Sequence, residues 1–79
     1  MEPLLRLNAL PAGQSGTVLT VEGKGPLTRR LQELGLTRGA PVRCLDRRRS
    51  GRAGCYDVRG TVLALRRSDS AGVWLEQKA

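Results

Sequence analysis

The chain has 79 residues, a length that suits one domain, and its balance of 39% hydrophobic and 27% charged residues excludes a disordered chain. The formal net charge of +7 predicts an acidic partner surface, and the absence of histidine removes the commonest general base and metal ligand. We therefore expect residues 1–79 to form a single domain that is not an enzyme and holds no cofactor.

The sequence carries no signal for membrane insertion or export. No apolar run approaches the ~20 residues that span a bilayer, and the N-terminal residues, with the acidic Glu2, do not resemble a signal peptide. Cys44 and Cys55 are too few for a disulfide framework. We expect a cytoplasmic protein with reduced thiols.

The first half of the chain predicts two strands and a helix. Apolar and β-branched residues bounded by turn signals predict strands at 4–7 and 16–22. Pro26 suits the first position of a helix and Gly35 suits its left-handed cap, which gives a helix at about 26–35. Leu27, Leu31 and Leu34 recur at helical spacing, and this stripe is expected to pack on the core.

The second half predicts only short elements. Strands are expected at 41–46, 55–59, 62–65 and 73–76, with a charged hairpin loop at 47–52. Ser68 is expected to cap a short helical turn at about 68–72. The whole pattern predicts a mainly β protein, a small barrel of five to six strands with one inserted α-helix.

Four segments resemble one protein family. LPAGQSGTV at 10–18 resembles the opening of the FeoA family, and RLQELGLTRG at 30–39 resembles its RLxELGLxxG signature. Residues 58–66 are similar to its VxGxxLALR segment, and residues 69–73 resemble its closing turn. The resemblance covers nearly the whole chain. It implies an SH3-like barrel and association with FeoB, the membrane transporter of ferrous iron that carries a cytoplasmic GTP-binding domain.

The shared positions have a structural explanation. The glycines suit tight turns and positive φ, and the leucines are expected to fill the barrel. These signature positions therefore indicate the fold and not an active site. They are Leu31, Leu34, Gly35, Leu36, Gly39, Gly60, Leu63 and Leu65.

Arginines on the helix, in the turn after it and in the hairpin loop are the candidate partner-binding residues. Guanidinium groups suit bidentate contacts to carboxylate or phosphate, although a solvated surface is the competing interpretation. The candidates are Arg29, Arg30, Arg38, Arg47, Arg48, Arg49 and Arg52.

Other partners and functions stay open at this point. A basic module that binds the phosphate backbone of nucleic acid is the main alternative, although Tyr56 is expected in the core and Trp74 in the last strand, too few aromatic platforms for bases. A FeoA-like domain of another metal-dependent regulator is a third possibility, and the absence of a second domain favours the stand-alone transporter role. Exposed strand edges make a homo-oligomer possible.

The cysteines do not predict a metal site. Strand alternation places Cys44 in the core and Cys55 on the opposite face, unless a β-bulge near Gly54 reverses the order. Two thiols on opposite faces cannot bind one ion, and two ligands are too few for a closed zinc site.

Overall fold

The computed structural model describes residues 4–47 and 53–77. Their six strands are all antiparallel neighbours in one sheet, whose order is β1-β6-β2-β3-β4-β5. The predicted mainly β fold, with one helix after the second strand and a short helical turn before the last strand, is confirmed. The elements are β1 (Leu4–Arg6), a 3₁₀ helix (Leu7–Ala9), β2 (Ser15–Val21), α1 (Pro26–Glu33), β3 (Pro41–Arg47), β4 (Ala53–Val58), β5 (Thr61–Arg66), α2 (Arg67–Ser70) and β6 (Val73–Glu76).

Helix α1 begins and ends as its local sequence predicts. Pro26 occupies the first turn after the extended residue Gly25, and Gly35 follows the helix with a φ of 111°. The Leu36 N–H donates to the Leu31 carbonyl at 3.0 Å, which is the 6→1 hydrogen bond of a Schellman cap. This cap reverses the chain and places Leu36 in the core, where it is fully buried.

The core is formed by the inward-facing residues of the strands, closed at one end by two leucines from α1 and its cap. In β4 and β6 every second residue is buried, as a strand with one face on a core requires. The sheet and the residues around α1 thus share one apolar cluster. Its members are Leu7, Leu10, Val18, Leu31, Leu36, Ala40, Val42, Cys44, Tyr56, Val58, Leu63, Leu65, Val73 and Leu75.

The prediction that the whole leucine stripe of α1 packs on the core was wrong. Leu31 is buried, whereas Leu27 is 46% exposed and Leu34 is 37% exposed. Helix α1 packs mainly against β2 and contributes only one residue, Leu31, to the core. Leu34 is the C-cap residue, and Leu36 takes the core position beyond it because the chain turns at Gly35.

The prediction that Ser68 caps the second helix was also wrong. Strand β5 continues to Arg66, and α2 begins at the next residue, so Ser68 lies inside the helix and is exposed. No side chain caps α2. Ser70 is instead the buried serine, and its hydroxyl is 3.2 Å from the carbonyl oxygens of both Arg66 and Arg67.

The predicted opposition of the two cysteines is confirmed. Cys44 lies opposite Tyr56 and is fully buried, whereas Cys55 lies opposite Asp46 and is partly exposed. The register shifts between Cys44 and Asp46, so the irregularity is in β3 and leaves the alternation of β4 intact. In the described part of the chain, no helix is long and apolar enough to cross a membrane.

Candidate partner-binding surface

The exposed side of α1 and the loop before it carries a basic pocket of about 410 Å³. Three cationic side chains and one carboxylate contribute to its lining, so its formal charge is positive. The six lining residues are Lys24, Gly25, Pro26, Arg29, Arg30 and Glu33. The pocket brings together two of the seven predicted arginines and adds Lys24.

Hydrogen bonds hold the loop that carries Lys24. The Thr28 hydroxyl donates to the Glu22 carbonyl at 2.7 Å, which ties the first turn of α1 to the residue that follows β2. The Glu22 N–H in turn donates to the Gly72 carbonyl at 2.7 Å. Gly23 has a φ of 92°, and a Cβ atom there would lie 2.9 Å from the Thr28 hydroxyl. The backbone around the pocket is therefore fixed at both ends.

The cations of the pocket are available to a partner. All three side chains are exposed, and within residues 4–47 and 53–77 none of them has an ion-pair partner within 4.0 Å. An acidic group that reaches Lys24, Arg29 and Arg30 therefore has no internal ion pair to displace. Because surface charges are solvated, each ion pair with a partner would contribute about 1 kcal/mol or less to binding. The geometry of these ion pairs therefore matters more for affinity than the number of charges.

Exposed leucines lie on the same helix, on the stripe of the buried Leu31 and outside the lining of the pocket. Leu27 and Leu34 lie on α1 and its C-cap, and they expose 46% and 37% of their surface. We call Lys24, Leu27, Arg29, Arg30 and Leu34 the α1 surface. A surface that combines apolar side chains with arginine has the composition of a protein-binding hot spot.

Sequence reasoning missed three members of the α1 surface. It treated Lys24 only as part of a turn and assigned both leucines to the core. The length of the helix carried a usable signal, since α1 spans eight residues and about 12 Å. So short a helix can rest on the sheet through one central turn and leave the leucines of its ends exposed.

The other predicted arginines do not join the pocket. Arg38 is exposed in the turn after α1, and that turn is held on β2 because the Gly39 N–H donates to the Val18 carbonyl at 2.8 Å. Arg47 is the last residue of β3, but its side chain lies outside the described residues. Arg48, Arg49 and Arg52 also lie outside the described residues.

The aromatic residues do not form a platform for nucleic-acid bases. Tyr56 is 2% exposed, as expected for a core residue. Trp74 lies in β6, where the Arg6 guanidinium sits 4.4 Å from the centre of its ring and the indole N–H donates to the Glu22 carboxylate. Arg6 also approaches this carboxylate, at 3.7 Å, and donates to the Ala71 carbonyl at 2.7 Å. One face of the indole is therefore covered by the protein itself.

The described residues contain no group of three acidic, cysteine or histidine side chains that could share a metal ion. Both cysteines are free thiols. Together with the six-stranded antiparallel sheet and its inserted helix, these features define a small SH3-like β module that presents a basic and apolar helix.

The comparison with protein families agrees with this class. The model of the FeoA domain matches residues 5–77. The chain belongs to the FeoA family.

Solved FeoA structures share the fold. The FeoA protein from Chlorobium tepidum is 31% identical with a TM-score of 0.87, and the match covers 95% of this chain and 71% of that one. The FeoA of Stenotrophomonas maltophilia, a prokaryotic SH3 domain protein complexed with zinc, is 30% identical with a TM-score of 0.82 over 91% of this chain and 89% of that one. These matches confirm the SH3-like fold class. No curated protein matches the chain.

The same fold occurs inside a larger regulator. A manganese-dependent transcriptional repressor matches 99% of this chain with a TM-score of 0.86 and 20% identity, over 44% of its own length. At that identity the likeness concerns the fold alone.

Proposed function

We propose that this protein is a small, non-enzymatic accessory protein of ferrous iron transport in the cytoplasm, and that it binds the cytoplasmic region of the FeoB transporter through the α1 surface. The observation that carries the proposal is the pairing of unneutralised cations with exposed leucines on one short helix. Family membership supports the link to iron transport, as does the role of transport-activating factor suggested for the Stenotrophomonas maltophilia protein.

The chemistry of the α1 surface defines the partner. Arg29 and Arg30 favour carboxylates, and Leu27 and Leu34, which lie beside Arg30 on the helix, favour an adjoining apolar patch. Removal of apolar area from water contributes about 25 cal/mol per Å², so two half-exposed leucines add about 1–2 kcal/mol to binding. The partner is therefore an acidic protein face with an adjoining apolar patch. Steering by the net charge of +7 accelerates the encounter.

A titration tests the proposal. The chain is added to the cytoplasmic domain of FeoB from the same organism, and binding is measured by calorimetry at physiological salt. The variant R29S/R30S removes two charges from the α1 surface. The control R43S/R67S removes two charges from exposed arginines of β3 and α2, so the net charge of both variants is +5.

The expected result is saturable one-to-one binding that R29S/R30S weakens at least tenfold and the control weakens by less than threefold. The apolar contribution is tested by L27S, which should weaken binding with little loss of stability because Leu27 is half-exposed. Equal losses in the two double variants would show that net charge alone drives binding, and that would overturn the assignment of the α1 surface.

The hairpin arginines are tested separately, since their placement is a proposal from sequence alone. Arg47, Arg48 and Arg49 are changed to Ser in a third variant. If this variant also binds FeoB more weakly, the docking surface includes the hairpin. The main alternative is tested in the same buffer with single-stranded RNA. Binding to RNA that falls steeply with salt, together with no binding to FeoB, would replace the adaptor function by a nucleic-acid function.

A further inference from the structure

We propose that β5 is a dimerisation edge, at which a second copy of this chain adds an antiparallel strand to the sheet. This inference goes beyond the proposed function and does not depend on it, because it concerns the isolated chain.

The first observation is that β5 has one free side. Strand β5 is at the end of the sheet order and pairs with β4 through six consecutive residue pairs without a register shift. In the described chain, the backbone of residues 61–65 makes no hydrogen bond outside this ladder. Alternate N–H and C=O groups of β5 therefore point away from β4 toward water, as a template for another strand.

The second observation is that little in the sequence of β5 blunts this edge, since its one charged residue, Arg66, is the last of the strand. Natural edge strands are usually short or carry proline, lysine, inward charges or bulges. Residues 61–65, Thr-Val-Leu-Ala-Leu, contain none of these and have high β-propensity. The opposite edge, β1, has only three residues, and its Arg6 is engaged with Trp74 and Glu22.

The third observation is that the core is least covered beside β5. Leu63 and Leu65 each retain 8% of their exposure, whereas every other member of the core cluster retains 2% or less. Val62, on the outer face of β5, is 62% exposed. A strand added at this edge would cover the two leucines and continue the core across the interface.

Symmetry and charge indicate that the strand added at β5 comes from a second copy of this chain. An antiparallel pair on a two-fold axis at Ala64 places Leu63 opposite Leu65 of the second copy, and Val62 opposite its Arg66. Asp57 lies opposite Val62 within the chain, on the same face. Arg66 of one copy and Asp57 of the other are then two strand spacings apart, about 10 Å between backbones, a span that the two side chains bridge together.

These charges are free to form that contact. Arg66 is exposed and has no ion-pair partner among the described residues. One oxygen of Asp57 accepts the Gly60 N–H at 2.8 Å. Asp57 also lies opposite Arg43 of its own chain, and the described residues show no ion pair between the two within 4.0 Å. The two-fold axis forms this pair twice. A strongly acidic or basic peptide has no such match, because the edge from Thr61 to Leu65 is uncharged.

The proposed interface is small, so the dimer is weak. One added strand and its flanking side chains fall below the ~1,200 Å² that stable interfaces bury. The two copies also repel each other, since each carries a net charge of +7. Salt screens this repulsion and also weakens the two exposed Arg66–Asp57 pairs, but each such pair contributes about 1 kcal/mol or less, so the dimer strengthens as salt is raised. Binding to an acidic partner responds in the opposite direction.

Sedimentation equilibrium of the isolated chain, from about 10 μM to 1 mM and at low and high salt, tests the proposal against two matched variants. V62K places a lysine on β5 at the position that lies opposite Arg66 of the second copy in the proposed pair. L4K makes the same change on β1, where Leu4 is 61% exposed. Both variants carry a net charge of +8, so overall repulsion is equal. Thermal unfolding checks that both variants are folded.

The expected result is dimerisation that strengthens with salt, is weakened at least tenfold by V62K and is changed less than threefold by L4K. Amide exchange should slow at alternate residues of 61–65 as the concentration rises. A chain that stays monomeric to 1 mM, or equal effects of V62K and L4K, would overturn the proposal. Slowed exchange of these amides only when FeoB is added would assign the edge to a strand of that partner.

Discussion

Gly54 gives the sharpest test of how the core is packed. It is buried in β4, two residues before Tyr56, so both residues face the core. A Cβ atom added at Gly54 would lie 2.7 Å from the phenolic oxygen of Tyr56 and 3.0 Å from Cζ of its ring. The ring is 2% exposed and packed in the core cluster, so moving it aside would disturb its neighbours. We therefore predict that Gly54→Ala destabilises the protein.

The magnitude follows from two opposing effects. Replacing glycine by alanine in a strand stabilises by roughly 0.5–1 kcal/mol, because the unfolded chain loses freedom. Overpacking a buried site costs about 1–3 kcal/mol. The net destabilisation should be about 1–2 kcal/mol, which in a domain of this size lowers the melting temperature by roughly 5–15 °C. Circular dichroism during thermal and urea unfolding measures both quantities.

A control and a second-site variant make the prediction specific. Gly72→Ala introduces the same methyl group where the nearest atom, Cβ of Glu22, is 3.6 Å away, so stability should be unchanged or slightly higher. Tyr56→Phe removes the oxygen that makes the closest contact, and the double variant G54A/Y56F should recover about 0.5–1 kcal/mol relative to additivity. A Gly54→Ala protein as stable as the parent would refute this account of the core.

Three further predictions concern other parts of the fold. Arg59→Asn should raise the free energy of unfolding by about 0.5–1 kcal/mol, because Arg59 has a φ of 53° and asparagine tolerates this conformation better, as urea titration will show. Leu31→Ala should lower the free energy of unfolding by about 2–5 kcal/mol, and Leu27→Ala should lower it by less than 1 kcal/mol. Equal losses of stability in thermal unfolding would contradict the exposure of Leu27. A thiol reagent should modify Cys55 in the native state and Cys44 only as fast as the protein opens, and mass spectrometry of the labelled peptides distinguishes the two.

Local rules of the chain predicted the elements because each rule acts over a few residues. Pro26 and Gly35 determine where α1 begins and where it is capped, and both effects depend only on the backbone of these positions. Alternation likewise placed Cys44 and Tyr56 in the core, since a strand with one buried face leaves no other choice. The strand boundaries were therefore within two residues of the observed ones.

Features that depend on distant neighbours were not predictable in the same way. The helical spacing of Leu27, Leu31 and Leu34 was real, but which of them enters the core depends on how far the sheet extends beneath the helix. Ser68 had the chemistry of a cap, yet β5 pairs with β4 as far as Arg66 and leaves no room for an extended cap residue at position 68. Pairing across the sheet overrode the local preference.

The effect of charge on the two candidate surfaces also depends on where the fold places them. Positive charge was evident from composition, but composition cannot say whether it attracts an acidic partner or separates two copies of the chain. Our two proposals attribute these effects to different elements, α1 after β2 and the edge strand β5 at the end of the sheet. Because added salt should weaken contacts at α1 and strengthen those at β5, one salt titration separates the two surfaces without any substitution.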